Sequence, residues 1–230
     1  MRFARAVRTV AAVLPLLTTL LAPTTVHADA RPVLAPVGTV TLPVRDALQN
    51  LPVQEEPPRG DYSRSKFKHW NTGLLADGCN TRAEVLKAEA LTAPEQGPNC
   101  ALTGGLWYSP YDDRHLDSAR GLDVDHLVPL AEAWDSGARA WTAQLREAYA
   151  NDQDDERALI AVSAASNRSK SDQDPGTWLP PHQGYHCQYA TDWVADKTRY
   201  QLSVDPAEQA ALADVLNGCP NETITVIFAA

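Results

Sequence analysis

The sequence predicts an α+β domain that is mostly helical, with few short strands and two disulfides. Three observations carry that reading. Several stretches repeat apolar residues at helical spacing and open on cap residues, whereas apolar runs of strand character stay near about five residues. Four cysteines are spaced to close two short loops. Hydrophobic residues make up 44% of the 230-residue chain, which is enough for one domain with a real core.

The first thirty residues read as a signal peptide. Arg2, Arg5 and Arg8 form a basic start, Thr9 to Leu21 is apolar, and Ala28-Asp29-Ala30 is a small-x-small cleavage site. That run falls short of the ~20 residues a membrane span needs, and no later segment is apolar enough, so the expected mature protein is secreted, without a membrane part and monomeric. Residues 31–60 hold Pro32, Pro36, Pro43, Pro52, Pro57 and Pro58, and are expected to form a Pro-rich N-terminal arm. Residues 61–230 make up the predicted globular domain. Removing residues 1–30 takes away three arginines and Asp29, moving the formal charge from −9 to −11. An acidic surface disfavours a protein that coats nucleic acid by charge, but not an enzyme that meets phosphate with a bound metal and a few local cations.

Thr81 followed by Glu84 reads as a capping box opening a helix that runs to Leu91. Pro94 to Pro98 breaks it, and Cys100 to Tyr108 has hairpin character. Gly121 to Leu130 is a short strand that turns at Pro129. From Ala131 to Ala150, Trp134, Ala138, Trp141, Leu145 and Tyr149 recur at helical spacing as core residues. Ala158 to Val162 is a buried strand, followed by a helix capped by Ser163 or Ser166. Asp205, Pro206 and Glu208 open a last helix with Leu212, Val215 and Leu216 on its apolar face and Gly218 at its end. Of three possible cysteine pairings, Cys79–Cys100 and Cys187–Cys219 are favoured, because each brackets one helical unit and closes a short loop. Each bridge is worth about 3 kcal/mol through the unfolded chain.

The chemistry centres on Asp123-Val124-Asp125-His126-Leu127-Val128-Pro129. Phosphodiester hydrolysis needs a base for the attacking water and a cation to offset charge on the phosphate and leaving oxygen. His126 suits the first task and Asp125 offers a hard oxygen for the second. Neighbours on a strand point to opposite sides, so the pair can flank one phosphate only where the strand ends or twists. Downstream, Asn167, Arg168 and Lys170 open a helix after an apolar strand. That order, a base on one strand, a second strand, then a helix carrying the last ligand, is the order of a ββα-metal site. Asn167 offers a neutral carbonyl oxygen, and Arg168 and Lys170 are candidate phosphate contacts.

From Asp123 to Pro181 the sequence resembles the HNH (ββα-metal) endonuclease family in its Asp-His…Asn form. It is similar to secreted actinomycete nucleases and to the C-terminal nuclease domain of GmrSD-type restriction enzymes. The matching pieces are D-V-D-H-L-V-P-L-A-E-A-W-D-S-G-A, Y-A-N-D, A-V-S-A-A-S-N-R-S-K-S-D-Q-D-P and W-L-P-P, in that order. The resemblance implies Asp125 and Asn167 as ligands of one divalent metal, magnesium or manganese. It implies His126 as general base, and DNA as substrate, with RNA as a second class. One departure stands out. Many relatives carry an Asn at the start of the second strand that braces the histidine loop, and this chain has Ala158 there. Either backbone carbonyls or Asn151 would orient His126 instead, or the bracing is lost and activity is low.

Asp123 and Glu132 are further candidates, as metal ligands or as partners of the ligands. Arg64, Lys66, Lys68, His69 and Trp70 form the most basic stretch, with aromatics interleaved, which suits either a nucleic-acid strand or a packed strand with exposed lysines. Two rivals remain. One is a secreted, non-catalytic module in which Asp123, Asp125 and Asn167 hold structural calcium. The other is a hydrolase pairing Asp125–His126 with Ser163 or Ser166.

Overall fold

The computed structural model describes residues 38–71 and 73–229, so the signal peptide expected over residues 1–30 lies outside the described residues. The α+β expectation holds. Seven α-helices and eight short strands are present among the described residues, the strands joined as four antiparallel pairs.

The Pro-rich segment needs a correction, because much of it folds into the domain. Strand β1 (Thr39–Pro43) pairs antiparallel with Thr223–Ile227 near the C-terminus, and helix α1 (Val44–Asn50) buries Val44, Ala47 and Leu48. Prolines bound these elements instead of preventing them. Pro43 closes the strand at the helix N-cap, where no intrahelical N–H bond is lost.

Helix α2 (Thr81–Ala88) is capped one residue earlier than expected: the Asn80 side chain accepts from the Ala83 amide, and Glu84 accepts from Leu74 and Leu75. Short hairpins follow, β2 (Glu95–Gln96) with β3 (Leu102–Thr103) and β4 (Trp107–Ser109) with β5 (Arg114–Leu116). Strand β6 (Leu122–His126) leads through α3 (Leu130–Asp135) and α4 (Ala143–Ala150) to its partner β7 (Leu159–Ser163). The helical spacing over residues 131–150 is split at Gly137, whose φ of +144° no other residue type adopts readily. Helix α5 (Ala164–Lys170) starts at Ser163, whose hydroxyl accepts from the Ser166 amide at 3.1 Å. Helices α6 (His186–Tyr200) and α7 (Pro206–Asn217) and strand β8 (Thr223–Ile227) complete the chain, with the expected capping box at Asp205 and Glu208.

Both disulfides form as expected, Cys79–Cys100 and Cys187–Cys219, with Cα separations of 5.4 and 5.6 Å. The larger core gathers Tyr189, Trp193 and Val194 of α6 with α1, α7 and β8. A smaller one places Val85 and Leu86 of α2 and Trp107 against Leu122, Val124, Leu159 and Ala161, beneath the β6–β7 hairpin.

One buried acid in α6 makes a testable claim. Among the described residues neither carboxylate oxygen of Asp196 has a partner, and burial, with Asp152 close by, drives its pKa well above the usual value. A raised carboxylate pKa costs stability as pH climbs from the unfolded value of about 3.9 toward the folded one. Asp196→Asn should therefore raise the melting temperature more at pH 8 than at pH 5, measured by thermal denaturation at both.

Candidate active site

Alternation along β6 puts Leu122, Val124 and His126 on one face and Asp123 and Asp125 on the other. The strand ends at His126, opposite Leu159, so the two faces meet the turn that starts at Leu127.

Helix α5 covers the carboxylate face. Helix positions three apart fall within reach of strand positions two apart, and two contacts result. Asn167 Nδ2 donates to Asp123 Oδ2 at 3.2 Å, and Lys170 Nζ pairs with Asp125 Oδ2 at 2.8 Å. The Tyr111 hydroxyl donates to the same Asp125 oxygen at 2.7 Å. No hydrogen bond from the described residues reaches Asp125 Oδ1. Burial raises the Asp125 pKa and lowers that of Lys170, each held back by its partner.

Two residues are not where the sequence suggested. Lys170, expected at a phosphate, is fully buried; its ammonium is taken by Asp125 and by the His126 carbonyl at 3.0 Å. Glu132 turns away from the hairpin and pairs with Lys197 of α6 at 2.6 Å, because its face of α3 packs on α6 and α7. Arg168 is exposed on α5, as a phosphate contact would require.

His126 is buried, and its Nε2 lies 2.9 Å from the Ala150 carbonyl. A carbonyl only accepts, so Nε2 carries the proton and Nδ1 is the basic nitrogen. Burial pushes the imidazole pKa down to about 3, against the Ala150 bond and helped by Arg64, His69 and Lys170, so the ring is neutral at pH 7. A backbone carbonyl therefore does the bracing that the Ala158 departure put in question. Ala158 contributes its own carbonyl to Leu127 N at 3.0 Å. Asn151 works one step away: its side chain ties Asn71 N at 3.1 Å and the Lys68 carbonyl at 2.8 Å.

Those bonds fix the segment that carries His69 and Trp70. Trp70 stacks on His126 with centroids 5.2 Å apart and planes 23° from parallel, and the His69 ring stands edge-on to His126 at 6.1 Å. Trp70 has φ +57°, a left-handed conformation that costs an L-residue about 1–2 kcal/mol and persists only where its surroundings impose it. Of the basic stretch, Lys66 and Lys68 are paired with Asp61 and Glu147, and Phe67 is buried. Sequence alone marked Trp70 as a base-stacking candidate; nothing in it showed the imidazole as the stacking partner.

Ser163 gives the serine alternative no support. Ser163 pairs across the hairpin with Leu122, at the far end from His126, and its hydroxyl is spent on Asp112 at 2.7 Å and on capping α5. A cavity of about 960 Å³ beside β7 is lined by seven acidic residues, Glu89 and Glu222 among them, and by two arginines, Arg157 and Arg199, a net acidic lining that disfavours a phosphodiester backbone.

Comparison with known proteins adds three findings. The family described as GmrSD restriction endonucleases, C-terminal domain, matches residues 83–215. That span contains β6, β7 and α5. A protein of Arthroderma benhamiae (strain ATCC MYA-4681 / CBS 112371) named "Uncharacterized secreted protein" is 44% identical over 172 residues, covering 75% of this chain and 82% of the relative. No solved structure matches the chain.

Proposed function

The chain belongs to the family of GmrSD restriction endonuclease C-terminal domains, and on that premise we propose a secreted HNH-type endonuclease that hydrolyses DNA, with RNA as a second substrate class. One observation carries the reading. At the end of β6 a neutral imidazole with Nδ1 as its basic nitrogen sits next in sequence to a carboxylate with one oxygen uncommitted. Secretion is supported by the two disulfides and by the name of the fungal relative.

His126 Nδ1 takes the proton from the attacking water, and the Ala150 carbonyl holds the opposite nitrogen as the ring becomes positive. Asp125 Oδ1 and the Asn167 amide oxygen are the proposed ligands of one divalent cation, magnesium or manganese. The donor set fits a hard cation: two oxygens come from one strand face and its covering helix, and Lys170 with Tyr111 fixes the carboxylate from its other oxygen. For Asn167 to serve, its amide must present the oxygen where Nδ2 now faces Asp123, a rotation of one terminal bond. With the oxygen so turned, Asn167 no longer donates to Asp123, and the Asp123 carboxylate stands beside the ion as a further ligand. When bound, the cation supplies Lewis-acid stabilisation of the phosphate and the leaving oxygen. Arg168 contacts a flanking phosphate.

The test is digestion of plasmid DNA and of RNA with magnesium, with manganese and with chelator. Cleavage should require the cation, and Asp125→Ala should weaken cation binding and cleavage together. A calcium-stabilised binding module would cut nothing under any of these conditions, and full cleavage in chelator would refute the metal assignment.

A further inference from the structure

A single hydrogen bond does not fix a ring. The Nε2 contact to the Ala150 carbonyl holds one atom of the His126 imidazole, and the tilt of the ring about its Cβ–Cγ bond, which aims Nδ1, is limited by what packs on its faces. Something must fix the plane for Nδ1 to face one water. Two near-parallel rings lie against the imidazole: Trp70, at 5.2 Å and 23°, and Tyr149, at 6.5 Å and 16°. Tyr149 is a core residue with other duties, packing on Phe67, Trp141 and Tyr200. Trp70 is only half-buried, at the edge of the smaller core, and its backbone is held in the left-handed region.

The restraints on that backbone come from both sides. Before Trp70, His69 Nδ1 lies 2.8 Å from the Phe67 carbonyl, and Phe67 is anchored in the core. After it, the Asn71 amide donates to Asn151 at 3.1 Å, and the Asn71 carbonyl accepts from the Thr81 amide at 3.0 Å. Asn151 directly follows Ala150, so one short stretch of chain sets the hydrogen bond to the imidazole and the position of the ring stacked on it. Strain imposed at a non-glycine residue, aimed at the one side chain the reaction needs, points to a role in placement.

We propose that Trp70 is a positioning residue: its flat indole face sets the plane of the His126 imidazole and so the direction of Nδ1. The proposal rests on the reading of His126 as general base. It concerns orientation, so a flat ring should serve where a bulky aliphatic side chain should not.

The experiment compares Trp70→Phe with Trp70→Leu in the full chain, alongside His126→Ala, by steady-state cleavage of an oligonucleotide duplex with magnesium. Trp70→Leu should lower kcat by about 10- to 100-fold, the scale on which small misplacements act, with KM within about threefold of the parent. Trp70→Phe should keep kcat within about threefold. The ring-current shift of the His126 protons by NMR should persist in Trp70→Phe and collapse in Trp70→Leu. A rise in KM at unchanged kcat would make Trp70 a substrate-stacking residue and overturn the proposal. So would equal loss in the two variants, or full activity of Trp70→Leu. If His126→Ala itself stays active, the general-base reading falls and this proposal with it; if His126→Ala is inactive and Trp70→Leu fully active, only the role of Trp70 is lost.

Discussion

His126→Ala is expected to lower phosphodiester cleavage by about 10²- to 10⁴-fold, the range a positioned general base contributes, while cation binding persists. The imidazole is neutral because burial lowers its pKa to about 3, and its proton is committed to the Ala150 carbonyl. A ring so placed has one accepting nitrogen and no competing proton on it. Removing it takes away the base but none of the oxygens of Asp123 and Asp125 on the opposite strand face or of Asn167 on the helix that covers it. Cleavage rates with magnesium, with cation affinity measured by calorimetry on the same variant, separate the two effects. Loss of cation binding would move His126 to the ligand set, and undiminished cleavage would remove it from the reaction. Asp125→Ala should behave differently, losing both, and that contrast tests the division of labour between adjacent residues.

Much of this hairpin was legible because its signals are local. The Ser163 cap, the Asp205–Glu208 capping box and the period-two strands around Asp125 and Leu159 each need only a few neighbouring residues. Pairings between distant segments were not legible. β1 belongs to the domain because its partner, β8, lies some 180 positions away, and a proline-rich composition gave no hint of that partner. Helix α6 escaped notice for a different reason: Asp192, Asp196, Lys197 and Arg199 are all buried in it, so charge does not mark its solvent side. The same logic misplaced Lys170 and Glu132. A charged residue near a reactive motif reads as a ligand or a phosphate contact, whereas here each is neutralised inside the protein by a partner from another element. Trp70 was seen, but its stacking partner 56 positions on was not.

The buried charges around Lys197 carry the largest expected stability effect. Its ammonium touches Glu132 at 2.6 Å, Glu208 at 2.7 Å and the Ser203 carbonyl at 2.8 Å, and all three side chains are almost fully buried. Trp193 donates its indole N–H to Glu208 at 2.5 Å. Burial alone would lower the lysine pKa, but the two carboxylates outweigh it and hold the ammonium charged. Burial, with Glu132 nearby, raises Glu208 to about 7 even with the lysine in place. Lys197→Met removes the only cation among these three side chains, and stability should fall by about 3–5 kcal/mol, the cost of stranding a buried charge. The sign of the pH dependence follows. Without the lysine the folded pKa of Glu208 rises further, so the variant gains stability as pH falls from above 7, and the gain is complete only below the unfolded value of about 4.3, where Glu208 is protonated in either state. Adding Glu132→Gln and Glu208→Gln should recover much of the loss at pH 8, since the penalty is charge without a partner and not lost volume. Urea denaturation of the three proteins at pH 5 and pH 8 decides the matter. A loss independent of pH and unrelieved by the amides would mean that Lys197 acts through its packing. This cluster joins α3, which leaves the hairpin four residues after His126, to α6 and α7. Its loss should therefore loosen the scaffold before it alters the chemistry, with cleavage per folded molecule near the parent value at temperatures below the melt.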